Sequence, residues 1–520
     1  MSSNDATLSS PLFVPQALQF YVNRLSFSKN RVRLQALSTQ VASANSQVIV
    51  RLPSNTMVNL ASLTMTGGVQ ATLGGPYSNA NGVALPTNWD YSFIETLSLI
   101  ANGGIITQPF LNYKLLGNTL NDVYGSADKD NQRAALQGSI PPPLRASQGG
   151  NILGPEPSGY QPFAINSWIS ATQTMAPSYI STNLLGDLEL RLTMAGNEVL
   201  ATGVLVDGTA IPDSGGNLAS WNMANINFYI ETASIQSNML EQAIAAKLAG
   251  GEPINVPFEN VFSFSQANNS GTYNQRFSVS SQSVNKIVAV SQLLSDLEAN
   301  GGQRSTTNGI PNCFRRNSIN NRFCQFSVNN QYSPNYQIDS QVVNGLNLAA
   351  EAITDVAAIE NYQSSNNLVE VRAAMDTVDY DYDVTDKLCT TTQHPQEYFG
   401  AGFVFDPAPG YVQPPSDSLI DPVDGSLNLT TFFRPYVYRS PLDTFLQDKF
   451  IMATSFDLDV CDKDRLVSGI NTLGSNAQMF LNCVADTAAG AAGVSNISTI
   501  YVLCTSMVQI YQGATLQIIQ

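Results

Sequence analysis

The strongest constraint on the fold is a strand that runs directly into a helix just before the middle of the chain. In residues 226–235 apolar and polar side chains alternate, which is the period of a half-buried strand. From residue 238 the apolar residues fall on one helical face, and Gly250-Gly251 is a stop signal. A related strand, Tyr501–Thr505, lies 273 positions after Phe228–Thr232. We therefore predict one domain ending with the first strand, a helical joint, and a second copy of the same fold.

A second match links the openings of the two halves. Gln47–Thr66 has the pattern of two strands broken by a turn, and Thr272–Ser291 repeats that pattern. Arg276-Phe277 takes the place of Arg51-Leu52 in this match. The opening strands of the second half are therefore predicted to be copies of the first.

A third match is a pair of hairpins in the same order along the chain. Phe93–Ile106 alternates and turns at Asn102-Gly103, which is a strong hairpin signal. Phe323–Ser333 turns at Asn329-Asn330, 227 positions later. Three matches in the same order indicate an internal duplication.

Each hairpin is followed by a helical pattern and then by a long region rich in Pro, Gly and Asn. The helices are predicted at Tyr113–Val123 and Leu346–Ile359, and the long loops at Ser126–Pro162 and Pro407–Pro422. Loops of this length in a compact domain are usually functional or packed against a neighbour. Closing strands are predicted in each half, at Ile180–Met194 and Asn225–Ile235, and at Gln478–Val484 and Ser498–Val508.

Two antiparallel sheets with long excursions at one end are typical of a jelly roll, in which the first and last strands are neighbours. Eight strands need only about 80–100 residues, so the remaining residues of each half belong to loops. The predicted class is all-β, with two tandem eight-stranded jelly rolls, a linking helix and long inter-strand loops. The predicted segments are an N-terminal arm (1–17), a first roll (18–236), a linker helix (237–254) and a second roll (255–520).

Length and composition agree with this division. A single core stops growing near about 250–300 residues, so 520 residues favour two domains. Charged residues make up 12% of the chain, about half the usual share. Such a surface suits a protein covered by copies of itself, and also a secreted adhesin or a carbohydrate binder. The net charge of −16 argues against nucleic acid as the main ligand.

The cysteine pattern favours free thiols in a reducing compartment. All six cysteines lie in the second half, none forms a CxxC pair, and the chain has one histidine, so we predict no zinc site. We find no run of about 18 apolar residues and predict no membrane span. The start, MSSNDATLSS, lacks the features of a signal peptide. The sequons at Asn268, Asn428 and Asn496 are therefore expected to be chance matches.

The region after the arm is locally basic. It contains Arg24, Lys29, Arg31 and Arg33, with only Asp5 as an acidic residue before position 50. One interpretation is a solvated strand edge. The other is a terminus that faces an interior holding nucleic acid, where so few charges supply weak, salt-sensitive contact.

Motifs for catalysis are absent from the sequence. His394 precedes Pro395 in a predicted loop, and no GxSxG, HExxH or GxxxxGK[ST] motif occurs. Gly400-Ala401-Gly402 lacks the third glycine of a dinucleotide loop and is interpreted as a turn. Glycosidase chemistry needs only two carboxylates and leaves no such motif. We predict no catalytic, cofactor-binding or metal-binding residues.

Two acidic groups offer weaker signals. Asp379, Asp381 and Asp383 share one face if extended, but Val384 and Thr390 break the EF-hand pattern. Three interpretations are open for these aspartates and for the second acidic group. They are calcium binding, a solvated strand edge, and pairing with an arginine of a neighbouring subunit. The second group is Asp457, Asp459, Asp462 and Asp464. The arginines considered as their partners across a subunit boundary are Arg315, Arg316 and Arg322. The alternative for these arginines is surface pairing of little energetic worth.

The chain resembles the double jelly-roll major capsid proteins of double-stranded DNA viruses, most closely those of virophages and Polinton-like viruses. The resemblance is carried by FIETLSLIANGGII with the following Asn112-Tyr113, by FSVNNQYSPNYQI (Phe326–Ile338) and by YFGAGFVFD (Tyr398–Asp406). These are strand-and-turn patterns that span nearly the whole chain. Relatives often carry larger loop insertions, so the outward loops here are expected to be short.

The resemblance implies a structural protein without enzymatic activity or cofactor. Three copies would form a pseudo-hexagonal trimer, and trimers would tile an icosahedral shell around a double-stranded DNA genome. The implied partners are itself, neighbouring capsomers, penton and minor capsid proteins, with at most weak non-specific contact between the basic N-terminal region and DNA. The implied location is the virion capsid, assembled inside the host cell. The alternative is a jelly-roll protein that binds or cleaves glycans through loop aromatic residues.

Overall fold

The computed structural model describes the strand framework of both halves and a few helices. The described residues are 27–37, 40–73, 83–85, 89–124, 151–153, 160–166, 168–175, 179–200, 219–235, 239–298, 312–319, 321–329, 331–339, 341–343, 361–363, 366–375, 445–446, 449–457, 469–473, 478–485, 494–513 and 515–519.

In the first half, one antiparallel sheet has six strands, a second has four, and two further strands pair with each other. Its strands are β1 (Phe27–Gln35), β2 (Ala42–Ser43), β3 (Gln47–Arg51), β4 (Met57–Leu73), β5 (Val83–Leu85), β6 (Ile94–Ala101), β7 (Gly104–Thr107), β8 (Asn151–Leu153), β9 (Gln161–Ile165), β10 (Tyr179–Ser181), β11 (Leu188–Met194) and β12 (Ala219–Ile235). One sheet has the order β1-β12-β4-β10 and the other has the order β3-β11-β6-β7. Strand β2 also pairs with β12, β9 pairs with β4, and β5 pairs with β8.

The second half repeats this arrangement. Its strands are β13 (Ile254–Asn268), β14 (Tyr273–Phe277), β15 (Val284–Leu293), β16 (Asn321–Val328), β17 (Gln331–Asp339), β18 (Gln341–Val343), β19 (Asn361–Gln363), β20 (Met452–Ser455), β21 (Met479–Ala485), β22 (Asn496–Tyr511) and β23 (Thr515–Ile519). The sheets have the orders β13-β22-β15-β20 and β14-β21-β16-β17. Strand β23 extends the first of them beside β22, and β18 pairs with β19.

The two halves therefore share one strand order, and in each half the first strand pairs with the long closing strand. This confirms the predicted all-β fold of two tandem jelly rolls. The alignment of residues across neighbouring strands is also similar in the two rolls. Arg51 lies opposite Glu189, which lies opposite Ile100. In the second roll Arg276, Phe480 and Ser327 lie side by side in the same way.

Both predicted hairpins are confirmed, because their turns are encoded locally. Strands β6 and β7 turn at Asn102 (φ 49°) and Gly103 (φ 80°), the two positive values that a tight hairpin turn requires. Strands β16 and β17 turn after Val328, where Asn329 also has a positive φ of 53°.

The helices of the described residues are short. They are α1 (Tyr113–Tyr124), α2 (Ala171–Thr174), α3 (Thr182–Leu185), α4 (Met239–Ala249), α5 (Leu294–Glu298) and α6 (Asn366–Ala374), with 3-10 turns at Trp89–Phe93, Asn197–Val199 and Asn312–Phe314. Helices α1 and α4 confirm two predicted helices, and α4 is the joint between β12 and β13. Gly251, just after α4, has a φ of +80°, which suits glycine. None of the described helices is long and apolar enough to cross a membrane.

Several predicted segments need correction or lie outside the described residues. Strand β8 and the start of β9 fall inside the predicted loop 126–162, and α3 interrupts the strand predicted over 180–194. The predicted helix 346–359 and loop 407–422 lie outside the described residues, as does the arm 1–17. The boundaries 18–236, 237–254 and 255–520 stay predictions.

Where Val284-Asn285 of the second half matches Val58-Asn59 of the first, the offset between the closing strands is 272, not the predicted 273. Thr232 lies opposite Val58, and Cys504 occupies the same position opposite Val284. Because side chains alternate between faces, an error of one residue would exchange the inner and outer faces of the strand. The corrected match pairs Tyr229 with Tyr501, and both side chains point to the outer face.

Candidate assembly site at the junction between the two rolls

The two rolls share one continuous hydrophobic cluster. The core residues of the first roll pack against the outer face of the β13-β22-β15-β20 sheet of the second roll. That face contributes residues such as Val261, Val288 and Leu503 to the cluster. A separate cluster fills the interior of the second roll, with Val502 and Cys504 on the opposite face of the same strand. The second roll therefore uses both faces of this sheet, and its strands are buried on both sides.

Helix α1 of the first roll lies at this junction. Its residues Tyr113, Leu115 and Leu116 are buried in the shared cluster. Gly117 permits close packing, because a Cβ atom there would lie 2.8 Å from the side chain of Tyr91. The helix carries one charged group toward the first roll, Lys114, and one toward the second, Asp122.

Asp122 binds two cations of the second roll. Its carboxylate accepts hydrogen bonds from the guanidinium of Arg316 and, at 2.9 Å, from Nζ of Lys449. Arg316 is 1% exposed and also donates to the hydroxyl of Thr119 at 2.6 Å. Burial alone raises the pKa of Asp122, but Lys449 and Arg316 outweigh it and hold that pKa below its ordinary value of 3.8.

Lys114 forms the matching cluster on the first-roll side. Its ammonium binds Glu95 at 2.9 Å and also binds Glu198. Burial lowers the pKa of Lys114, yet the two carboxylates raise it above 10.5 overall, so the amine stays charged. The thiol of Cys313 lies close to this group, and burial raises its pKa to about 12.

Neutral hydrogen bonds join the rolls alongside these ion pairs. The backbone N–H of Leu111 donates to Oγ of Ser263 at 3.0 Å, and the hydroxyl of Tyr501 donates to the carbonyl of Asn112 at 3.1 Å. The ring of Tyr501 also meets Phe110 edge to face, with centroids 6.4 Å apart. Neutral groups of this kind are less costly to desolvate than charges.

Strand β13 contributes a further pair of contacts. The backbone N–H of Glu259 donates to Oγ1 of Thr174 at 2.8 Å, and its carbonyl accepts from Oγ of Ser170 at 2.9 Å. The half-buried side chain of Glu259 lies near Lys286 and Asp457. Burial raises the pKa of Glu259 to about 7, Lys286 opposes this effect and Asp457 adds to it.

The basic strand β1 is an exposed sheet edge. Lys29 binds Glu231 at 2.9 Å, and Arg33 donates twice to the amide oxygen of Asn227. Arg31 donates to Thr64 at 3.0 Å and lies 5.7 Å from the ring centroid of Tyr229. Arg24, the fourth predicted cation, lies outside the described residues.

The interpretation that Arg316 pairs across a subunit boundary is wrong. Arg316 binds Asp122 inside the chain and is buried, so it is not a surface pair either. Arg315 reaches Asp296 at 3.4 Å within the second roll. Asp457 lies 3.9 Å from Lys286. No local signal marks Asp122 or Lys449 as partners of Arg316, because both lie far from it along the chain.

The other candidates from the sequence are placed as follows. Among the described residues, no group of three His, Cys, Asp or Glu side chains is arranged to hold a metal ion. Arg322 is exposed on β16. Asn268 and Asn496 are buried and hydrogen-bonded to each other at 3.1 Å, which leaves no room for a glycan. Outside the described residues lie His394, Gly400-Ala401-Gly402, Asn428, Asp379, Asp381, Asp383, Asp459, Asp462, Asp464, Cys389 and Cys461.

Four of the predicted free thiols are described, and all four are buried and unbridged: Cys313, Cys324, Cys483 and Cys504. Burial raises the pKa of Cys483 and Cys504 to about 12, and it raises the pKa of Cys324 well above the ordinary value of a thiol. These thiols are inert groups in the core.

Comparison with solved structures places this architecture among known folds. The chain superposes on VP54 of PBCV-1, fitted into a reconstruction of the virophage Sputnik, with a TM-score of 0.51 and 10% identity, over 95% of this chain and 97% of that one. A chain of the PBCV-1 virus capsid matches with a TM-score of 0.50, 10% identity and the same two coverages. The mavirus major capsid protein aligns with 100% of this chain and 93% of its own, at a TM-score of 0.42 and 10% identity.

The chain has the double jelly-roll fold of viral major capsid proteins. No protein-family model and no curated protein matches the sequence.

Proposed function

We propose that the protein is a major capsid protein that self-assembles as pseudo-hexagonal trimers into an icosahedral shell around a double-stranded DNA genome. The observation that carries the proposal is the double jelly roll, which matches VP54 over nearly the full length of both chains. Three copies of such a chain would place six similar rolls around one axis, and a near-sixfold object tiles a closed lattice.

The rigid junction supports this role. Buried ion pairs and hydrogen bonds fix the first roll against the second, so the two rolls of one chain act as a single block. The low content of charged residues, 12%, fits surfaces that are buried between copies. The role is structural rather than enzymatic, with the virion capsid as its location and assembly inside the host cell.

The proposed partners are other copies of the chain, neighbouring capsomers, and penton and minor capsid proteins. Contact of the basic N-terminal region with the genome is at most weak and non-specific. Lys29 is already paired with Glu231, and few cations remain to neutralise phosphates.

The test is to purify the full chain under reducing conditions and to measure its mass by sedimentation, followed by negative-stain imaging. The expected species has three times the 55.9 kDa mass of the chain and a hexagonal outline. A clean monomer at about micromolar concentration, the range of ordinary obligate assemblies, would overturn the proposal. Binding of that monomer to a glycan array would favour the glycan alternative.

A further inference from the structure

Three charged side chains lie together on the face of the second roll that the first roll covers. Strand alternation places Glu259 on the face of Val261 and Lys286 on the face of Val288, and both valines belong to the shared cluster. Asp457 follows β20, which pairs with β15, and its Oδ2 atom lies 3.9 Å from Nζ of Lys286. We call Glu259, Lys286 and Asp457 the Glu259 cluster.

The Glu259 cluster contains two carboxyl groups and one ammonium group. The side chains of Lys286 and Asp457 are 13% and 14% exposed, so their ion pair is largely removed from water. Among the described residues, the carboxyl group of Glu259 forms no hydrogen bond or ion pair of its own. Because Lys286 balances one carboxylate, ionising both would leave one uncompensated negative charge at the junction.

The neighbouring elements supply no further charge to balance Glu259. In the first roll, the residues that pack against it belong to the stretch 168–175, WISATQTM, in which no side chain titrates. On β22, the residue opposite Glu259 is Thr505. The adjacent Cys504 belongs to the other face and stays protonated at neutral pH, because burial raises the pKa of its thiol to about 12. The charge at this part of the junction is therefore decided by the Glu259 cluster.

The backbone of Glu259 is also a point at which the two rolls are joined. Its N–H donates to Oγ1 of Thr174 at 2.8 Å, and its carbonyl accepts from Oγ of Ser170 at 2.9 Å. Strand β13 stands at the end of its sheet, so these bonds continue the hydrogen bonding of the strand onto the first roll. A change in the charge of Glu259 therefore acts where the rolls meet.

We propose that Glu259 is a proton-controlled contact between the two rolls, which holds them together when its carboxyl group is protonated and loosens them when that group ionises. A neutral carboxyl group is accommodated on the covered face. A second carboxylate repels Asp457 and favours an opened junction in which water solvates the charge. The contact lies within one chain, so the inference goes beyond the proposed capsid role and does not depend on the trimer.

The direction of the pH dependence follows from the surroundings of Glu259. Burial raises its pKa to about 7, against an ordinary value of 4.5, while Lys286 opposes the rise and Asp457 adds to it. The stabilising contribution of the protonated group is therefore fully present below about pH 4.5 and is lost as the pH rises through about 7. This direction is opposite to that expected for Asp122, whose pKa is lowered.

The first test compares the full wild-type chain with Glu259→Gln, whose amide has the shape of the protonated acid and stays neutral at every pH. Glu252→Gln is the control, because it removes an exposed carboxylate just before β13. Urea unfolding is measured at about pH 5 and about pH 8. Over this range we expect the unfolding equilibrium constants of the wild type and the control to rise about tenfold or more relative to that of Glu259→Gln. An equal rise in all three proteins overturns the proposal.

The second test locates the effect by hydrogen exchange of the full chain at about pH 6 and about pH 8, as protection factors corrected for the intrinsic exchange rate. In the wild type we expect protection of β13 and of residues 168–175 to fall at the higher pH, while the hairpin of β6 and β7 keeps its protection. In Glu259→Gln neither segment should lose protection. A fall spread evenly over the chain, or an equal fall in the variant, overturns the proposal.

Asp457→Asn separates the effect of charge from that of packing. It keeps the shape of the side chain and removes the charge that helps to raise the pKa of Glu259. The rise in the unfolding constant between about pH 5 and about pH 8 should therefore be smaller than in the wild type. An unchanged rise would show that the two carboxyl groups do not interact, and would overturn the proposal. A wild-type chain that is monomeric overturns the proposed function but not this contact, which is measured within one chain.

Discussion

Asp122 neutralises two buried cations with one carboxylate. Arg316 and Lys449 come from the second roll, and both side chains are largely excluded from solvent. Burying two cations beside one anion is tolerable because Arg316 also bonds to Thr119. Removing the anion would leave both cations buried without a counter-charge.

We therefore predict that Asp122→Asn destabilises the protein by about 3–5 kcal/mol. Urea unfolding followed by far-ultraviolet circular dichroism measures the change. The control is Glu189→Gln, which removes the partner of the half-exposed Arg191 and should change stability by less than about 1 kcal/mol. Equal losses in the two variants would contradict the role assigned to Asp122.

The contribution of Asp122 to stability should also fall as the pH is lowered. Its pKa in the folded protein lies below 3.8, so its contribution is fully present above about pH 4 and is lost as the pH falls toward that lowered pKa. The difference between wild type and Asp122→Asn is therefore expected to narrow below about pH 4. A difference that instead widens in acid would show that the carboxylate is not held ionised by its partners.

At the level of elements, the hairpin between β6 and β7 depends on one glycine. Gly103 has a φ of +80°, whereas its neighbour Gly104 has an ordinary backbone conformation and room for a Cβ atom, 3.5 Å from the carbonyl of Ala101. We predict that Gly103→Ala costs about 1–2 kcal/mol, because alanine is strained at positive φ. Gly104→Ala should be close to neutral, and thermal unfolding of the two variants measures the contrast. Equal melting temperatures of the two variants would show that the positive φ of Gly103 does not limit stability.

One hairpin turn and two helices were predictable because their signals are local. The Asn102-Gly103 turn, α1 and α4 each depend on a few adjacent residues. The register of strand pairing could not be predicted from the sequence, because irregularities interrupt the pairing between Tyr229 and Glu231, and between Val284 and Lys286. Such an irregularity shifts the register without any mark in the alternation of apolar and polar residues.

The junction was also beyond reach from the sequence. Arg316 stands beside Arg315 in the chain, and nothing local separates the buried arginine from the half-exposed one. The distinction is made by Asp122, which the fold brings to Arg316 from 194 positions away. Ion pairs of this kind follow from the docking of two domains, which local patterns do not encode.

At the scale of the whole molecule, duplication produces a chain whose two rolls share a strand order but differ in their surroundings. The β13-β22-β15-β20 sheet is covered by the first roll, whereas the β1-β12-β4-β10 sheet is exposed along β1. Because the two rolls are not equivalent, a contact between copies that joins different rolls is head-to-tail, and such a contact either closes into a ring or grows without limit. The proposed trimer is the closed case.

The proposed trimer predicts how labelled copies combine. In a one-to-one mixture of ¹⁵N-labelled and unlabelled wild type that is dissociated and reassembled together, each trimer should take its copies at random. Native mass spectrometry should therefore find trimers of every label composition, with the mixed compositions more abundant than the uniform ones. A dimer as the largest species would point to a two-fold contact, and a monomer as the largest species would overturn the proposed function.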